Sequence, residues 1–90
     1  EGVTAPKLMA FLIEENGFIK VAGFPENSIS EKAGMKKGDI LLSIDDMAIT
    51  NMEDIRIYLF YKRSGEKIKV KVLRKRFLFG DKEIDIDITL

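Results

Sequence analysis

The 90-residue sequence contains no cysteine and no histidine. Without sulfur there is no disulfide framework and no thiolate nucleophile. Without imidazole there is no histidine-based triad, and without either there is no ordinary zinc site. Most small-enzyme readings fall here. The lack of cysteine leaves the redox compartment open, because a disulfide-free domain is tolerated both in the cytosol and outside it. An excess of charge of one sign is also missing: 15 Lys and Arg balance 15 Asp and Glu, so no global field draws in nucleic acid or an anionic membrane. No apolar run approaches the roughly 20 residues of a membrane span, and no charged-then-apolar leader opens the chain. The segment is expected to be soluble as given. Its start at Glu1 and its stop on an apolar run at Leu90 suggest a module cut from a larger protein.

With 33% charged and 46% hydrophobic residues in about 10 kDa, the composition is that of one small folded domain over residues 1–90. Leu8-Met9-Ala10-Phe11-Leu12-Ile13 reads as a strand apolar on nearly both faces, closed by the turn Glu14-Glu15-Asn16-Gly17. Phe18 to Ala22 is a second strand, and the Asn-Gly between the two implies a hairpin. Ser28-Ile29-Ser30-Glu31 has the spacing of a capping box for a short helix that Gly34 stops. Ile40 to Ile44 is a buried strand ended by Asp45-Asp46. Thr50-Asn51-Met52-Glu53 repeats the capping spacing and opens the main helix, 52–62, with Ile55, Tyr58, Leu59 and Lys62 at helical spacing.

The last third has the clearest pattern. Lys67, Lys69 and Lys71 alternate with Ile68, Val70 and Val72, and Glu83, Asp85 and Asp87 alternate with Ile84, Ile86 and Ile88. Two strands with one apolar and one charged face each, paired antiparallel, would set the lysine row against the acid row. Arg74 to Asp81 then reads as a long, basic and aromatic connection. The zero net charge is a sum of unlike parts: residues 1–61 carry −4, residues 62–76 carry +7 and residues 77–90 carry −3.

Gly34-Met35-Lys36-Lys37-Gly38-Asp39-Ile40-Leu41-Leu42-Ser43-Ile44-Asp45 resembles the Ala-Gly-Leu-x-x-Gly-Asp-x-Ile-x-x-Ile-Asn/Asp stretch of PDZ domains. Phe24 to Ala33 is similar to the loop and short helix that precede it in that family. The element order resembles the bacterial, circularly permuted form, in which Ile84 to Thr89 would supply the strand that opens the animal-type domain. Asp54-Ile55-Arg56 and the later Gly65 also resemble the bacterial subgroup's helix and its following glycine. The resemblance implies an α+β fold: a small, partly open β-barrel or sandwich of five to six strands, capped by one short and one long helix.

It also implies a non-catalytic module that captures a peptide or a protein C-terminus, needs no cofactor, and serves a neighbouring domain of the same chain in the bacterial cell envelope or periplasm. In such domains, backbone amides of a loop hold the ligand's carboxylate, and the ligand adds to the next strand. By position the loop is Lys7-Leu8-Met9-Ala10, and the groove lies between the strand 8–13 and the helix 52–62. Leu8, Ala10 and Leu12 would face the pocket, Phe11 and Ile55 would flank it, and Tyr58 and Tyr61 would close it from the helix. Met9 stands where the family usually has glycine, so either the loop adopts a conformation open to an ordinary residue or carboxylate capture is impaired.

Two alternatives accompany this reading. One is a spacer with a disabled groove. The other is a polyanion or membrane contact through the basic loop 74–79. Asp39, Asp45 and Asp46 lack calcium-loop spacing, the serines have no catalytic partner, and Gly34 and Gly38 lead into a strand, so neither metal, catalysis nor phosphate binding is expected.

Overall fold

Alternation of apolar and polar residues dictates most of the architecture. The computed structural model describes residues 7–90 in full and Gly2–Ala5 by backbone pairing. The elements in order are β1 (Gly2–Ala5), β2 (Ala10–Glu15), β3 (Phe18–Gly23), α1 (Ile29–Lys32), β4 (Ile40–Ile44), β5 (Met47–Ala48), α2 (Met52–Phe60), β6 (Lys67–Arg76) and β7 (Gly80–Thr89). The strands form one antiparallel sheet in the order β1-β2-β3-β4-β6-β7, with β5 a short side strand on β4. The sheet does not close on itself, and this is the expected α+β, partly open arrangement with one short and one long helix.

Local chemistry explains the turns. Asn16 and Gly17, at φ 53° and 81°, reverse the chain between Glu15 and Phe18, as the Asn-Gly pair implied. Glu14 and Glu15 are strand residues, however, because the two-residue turn needs nothing more. Ser28 caps α1 by accepting from the Glu31 amide. Asp45 and Asp46 both have positive φ, which makes a tight two-residue turn and folds Met47–Ala48 back onto Ser43–Ile44, a strand too short to show in periodicity.

The helix cap is one residue later than the Thr50 spacing implied. Asn51 Oδ1 accepts from the Asp54 amide at 2.9 Å, while Asp54 Oδ2 reaches back to the Thr50 amide and hydroxyl, each at 3.0 Å. These bonds hold the Asp54 carboxyl below its ordinary value, the Thr50 amide contributing most. α2 ends at Phe60, capped by Tyr61, two residues short of the expected 62.

The stretch 74–81 is not a long connection. β6 and β7 run on to Arg76 and Gly80, and only Phe77, Leu78 and Phe79 form the tip, with Leu78 and Gly80 at positive φ. Lys69 faces Asp87 and Lys71 faces Asp85, so the two charged rows meet at these pairs; Lys67 instead faces Thr89, and Glu83 faces Leu73.

The core draws Leu8, Leu12, Ile19, Leu41, Ile44, Ile55, Val70 and Ile88 into one cluster, each at most 1% exposed. Each such side chain contributes about 1.5–3 kcal/mol by leaving water. Asp39 is buried as well, at 1% exposure, and its charge is answered by Arg74, whose Nε and Nη2 reach Oδ1 and Oδ2 at 2.9 and 2.7 Å. Arg74 also donates to the Gly34 carbonyl at 2.8 Å, so β6 staples the Gly34–Asp39 turn. The hydrogen bonds to Asp39 raise the Arg74 pKa. Arg74 is therefore no part of a free basic loop; of that cluster, Lys75 and Arg76 remain exposed.

Candidate functional site

Strand β2 and helix α2 lie alongside each other in opposite directions, and charge holds both ends. A helix gathers partial negative charge at its C-terminus and partial positive charge at its N-terminus. The last turn of α2 carries no basic residue. Lys7, just before β2, supplies the cation: its Nζ donates to the carbonyls of Leu59 and Lys62, both at 2.5 Å, and lies 3.4 Å from that of Phe60. At the other end, Glu14 of β2 accepts from the Met52 amide at 3.2 Å. Lys7 opens the loop that the resemblance assigned to carboxylate capture, and its ammonium bonds the helix end. Nothing local in the sequence links Glu14 to a helix 38 residues away.

The loop Lys7–Ala10 makes a turn before β2. Met9 has φ 56°, the left-handed conformation that glycine enters freely and other residues enter at a cost of about 1 kcal/mol. The loop thus does not adopt a conformation open to an ordinary residue; it keeps a glycine-type backbone although its residue is methionine. Two serines hold it there. Ser30 Oγ donates to the Leu8 carbonyl, and Ser28 Oγ to the Met9 carbonyl at 2.7 Å. In a planar trans peptide the N–H points opposite to the C=O. With both carbonyls turned to the α1 serines, the amides of Met9 and Ala10 point away from α1. The sequence marked Ser28 as a cap, but its second bond and the whole role of Ser30 depend on contacts 19 and 22 residues distant.

Leu8, Ala10 and Leu12 are fully buried, as is Ile55 of α2 at 1% exposure. Phe11 is 39% exposed and lies against Gly23 across a one-residue bulge in the β2–β3 pairing. Tyr58 is half-buried, and its hydroxyl donates to Asp45 Oδ2 at 2.5 Å while the Lys62 ammonium sits 5.0 Å from its ring centre. Partial burial alone would push the Asp45 carboxyl up, but the Tyr58 hydroxyl, the Lys69 amide and Lys62 together hold it below the ordinary 3.8. The bond to Asp45 raises the Tyr58 pKa above 10.0. Tyr61 is exposed and meets Phe60 edge-on at 5.1 Å.

At 100° per residue, Ile55 and Leu59 face the core and Tyr58 occupies the flank toward Asp45, which Lys62, beyond the helix end, reaches at 3.7 Å. The opposite flank carries Met52, Arg56 and Phe60. Phe60 is 74% exposed, an apolar residue the core does not use.

The remaining fact about β2 is its pairing. β3 holds one edge; β1 holds the other, with Gly2, Val3, Thr4 and Ala5 opposite Ile13, Leu12, Phe11 and Ala10. This strand was not foreseen in the sequence, where Gly2 to Ala5 is too short and mixed to show a period.

A family model described as the PDZ domain matches residues 21–74, more than half of the chain. A probable periplasmic serine endoprotease, DegP-like, from Rickettsia prowazekii (strain Madrid E) is 32% identical over 81% of this chain. Its counterpart from Rickettsia conorii (strain ATCC VR-613 / Malish 7) is 29% identical over 99%. The chain spans only 15% and 18% of the length of these two relatives. Among solved structures, the HtrA-type protease AlgW with a decapeptide superposes with a TM-score of 0.77 over 98% of this chain and 28% of that one, at 20% identity. The curated relatives are periplasmic, the compartment the resemblance implied. With the sheet order, the two helices and the matched residues in agreement, the chain belongs to the PDZ domain family.

Proposed function

We propose that this domain is a non-catalytic module that captures C-terminal or extended peptide segments by strand addition to β2, and so positions or regulates a neighbouring domain of its own chain. The observation that carries the reading is the loop at the head of β2. Met9 is held in a glycine-type conformation, with two carbonyls tied back to Ser28 and Ser30 and the Met9 and Ala10 amides turned the other way. Two fixed amides at a strand start are what a carboxylate requires, because they are donors that cannot rotate away. The DegP-like and HtrA-type relatives, one of them solved with a decapeptide, support a peptide as the ligand.

In this reading the Met9 and Ala10 amides hold the carboxylate, Leu8, Ala10, Leu12 and Ile55 form the floor, and Phe11 lies along the strand. The helix wall is Met52, Arg56 and Phe60, with Tyr61 beside Phe60. Tyr58 serves as an anchor to Asp45, and Lys7 fixes the loop to α2. The test is fluorescence anisotropy with labelled decapeptides that differ only in their last residue, each as free acid and as amide. A charge-assisted bond to the carboxylate predicts at least about tenfold preference for the free acid. Absence of binding across the set would contradict the reading.

A second reading has one observation in its favour. Phe77, Leu78 and Phe79 at the hairpin tip are 87%, 83% and 75% exposed, with Lys75 and Arg76 beside them. Such a tip suits an anionic membrane surface. Sedimentation with phosphatidylglycerol vesicles, lost in Phe77→Ser/Phe79→Ser, would support it; retention of the double variant would not.

A further inference from the structure

A strand in a sheet has two edges, and both edges of β2 are taken. β3 pairs along one, and β1 covers Ala10–Ile13 on the other, next to the Met9 loop. A peptide can therefore add to this stretch only in the place of β1. Direction strengthens the point: β1 runs antiparallel to β2 with Ala5 opposite Ala10, so its C-terminal end lies at the loop, as the end of a captured peptide would. Its sequence, Gly-Val-Thr-Ala, offers one large apolar residue, so the pairing rests mainly on main-chain bonds that any extended peptide can replace.

We propose that β1 is an intramolecular occupant of the acceptor edge, and that peptide capture requires its displacement. The proposal rests on the strand-addition reading above and adds regulation to it: whatever draws Gly2–Ala5 off β2 opens the site. Only the undocked fraction binds, so a segment docked about nine-tenths of the time weakens capture about tenfold.

Two variants of the full 90-residue chain test this, with the tightest-binding free-acid decapeptide of the set above as the probe. In Val3→Pro/Thr4→Pro two adjacent amides are lost, so one strand donor disappears whichever of the two residues is hydrogen-bonded to β2. The expected result is binding about tenfold tighter than the parent. In Gly2→Cys/Ile13→Cys, cross-strand partners in a chain with no other cysteine, oxidation locks β1 in place and reduction frees it. The oxidised form should lose binding and the reduced form regain it, each sample serving as its own folding control. Equal affinity in the parent and the proline variant, or in the oxidised and reduced forms, overturns the proposal while leaving strand addition standing. No binding by any form removes both.

Discussion

At one end of the sheet β6 and β7 pair through ten consecutive partners; at the other, β1 meets β2 through four. The long pair buries Ile68, Val70, Val72, Ile86 and Ile88, none more than 3% exposed, and sets Lys69 against Asp87 and Lys71 against Asp85 on its outer face. Removing β7 would expose isoleucines and uncover a strand edge. The short pair has no such alternation in its sequence, and only four residues of β1 meet β2. One edge is thus written into side-chain alternation, and the other is a four-residue pairing that, under the proposal above, exchanges with a peptide. Sheets commonly protect their edges, and here the protecting segment lies on the edge proposed to receive a peptide.

The largest effects should come from the fixed part. Arg74→Met leaves the buried Asp39 carboxylate without its cation, and should cost about 3–5 kcal/mol in urea unfolding. A cost below about 1 kcal/mol would mean that the Gly34–Asp39 turn needs no staple. Ser30→Ala removes a buried donor from the Leu8 carbonyl and should cost about 1–3 kcal/mol. It should also reduce the preference for free-acid over amide peptides, a readout that loss of stability alone leaves unchanged.

On the exchangeable side, Met9→Gly relieves the left-handed backbone and should stabilise the domain by about 1 kcal/mol. A destabilised variant would mean that the Met9 side chain supports the loop. The smallest effect concerns pH. The folded Asp45 carboxyl lies below its ordinary 3.8, so its stabilising contribution is present above that value and is lost as pH falls through the lower folded value. Unfolding midpoints measured from pH 5 downward should therefore drop less steeply in Asp45→Asn than in the parent. Identical slopes would dismiss the Asp45–Tyr58 bond as a contributor.

Much of the fold was legible in the sequence because its signals are local. Alternation in 67–72 and 84–88, the Asn16-Gly17 turn and the Ser28 cap each depend on neighbours within a few residues. The PDZ resemblance of 34–45 located the loop and β2. What was not legible depends on distant contacts. Arg74 looked free until the fold brought Asp39 to it, and no local signal tied Lys7 to the carbonyls at the end of α2. Tyr58 followed the helical spacing correctly, but no local signal showed that its hydroxyl bonds Asp45 across the fold. The shift of the cap from Thr50 to Asn51 turned on Asp54 outcompeting Glu53 for the return bond. Short β1 and β5 escaped because two to four residues carry no readable period.

The most direct measurement is an NMR titration of the 90-residue chain with the tightest free-acid decapeptide. The largest amide shifts should fall at Leu8 to Ile13 and along Met52, Arg56 and Phe60, while Val3 and Thr4 move toward unpaired positions as β1 is displaced. Shifts concentrated at the Phe77–Phe79 tip or on β7, with Leu8 to Ile13 unmoved at saturation, would contradict it.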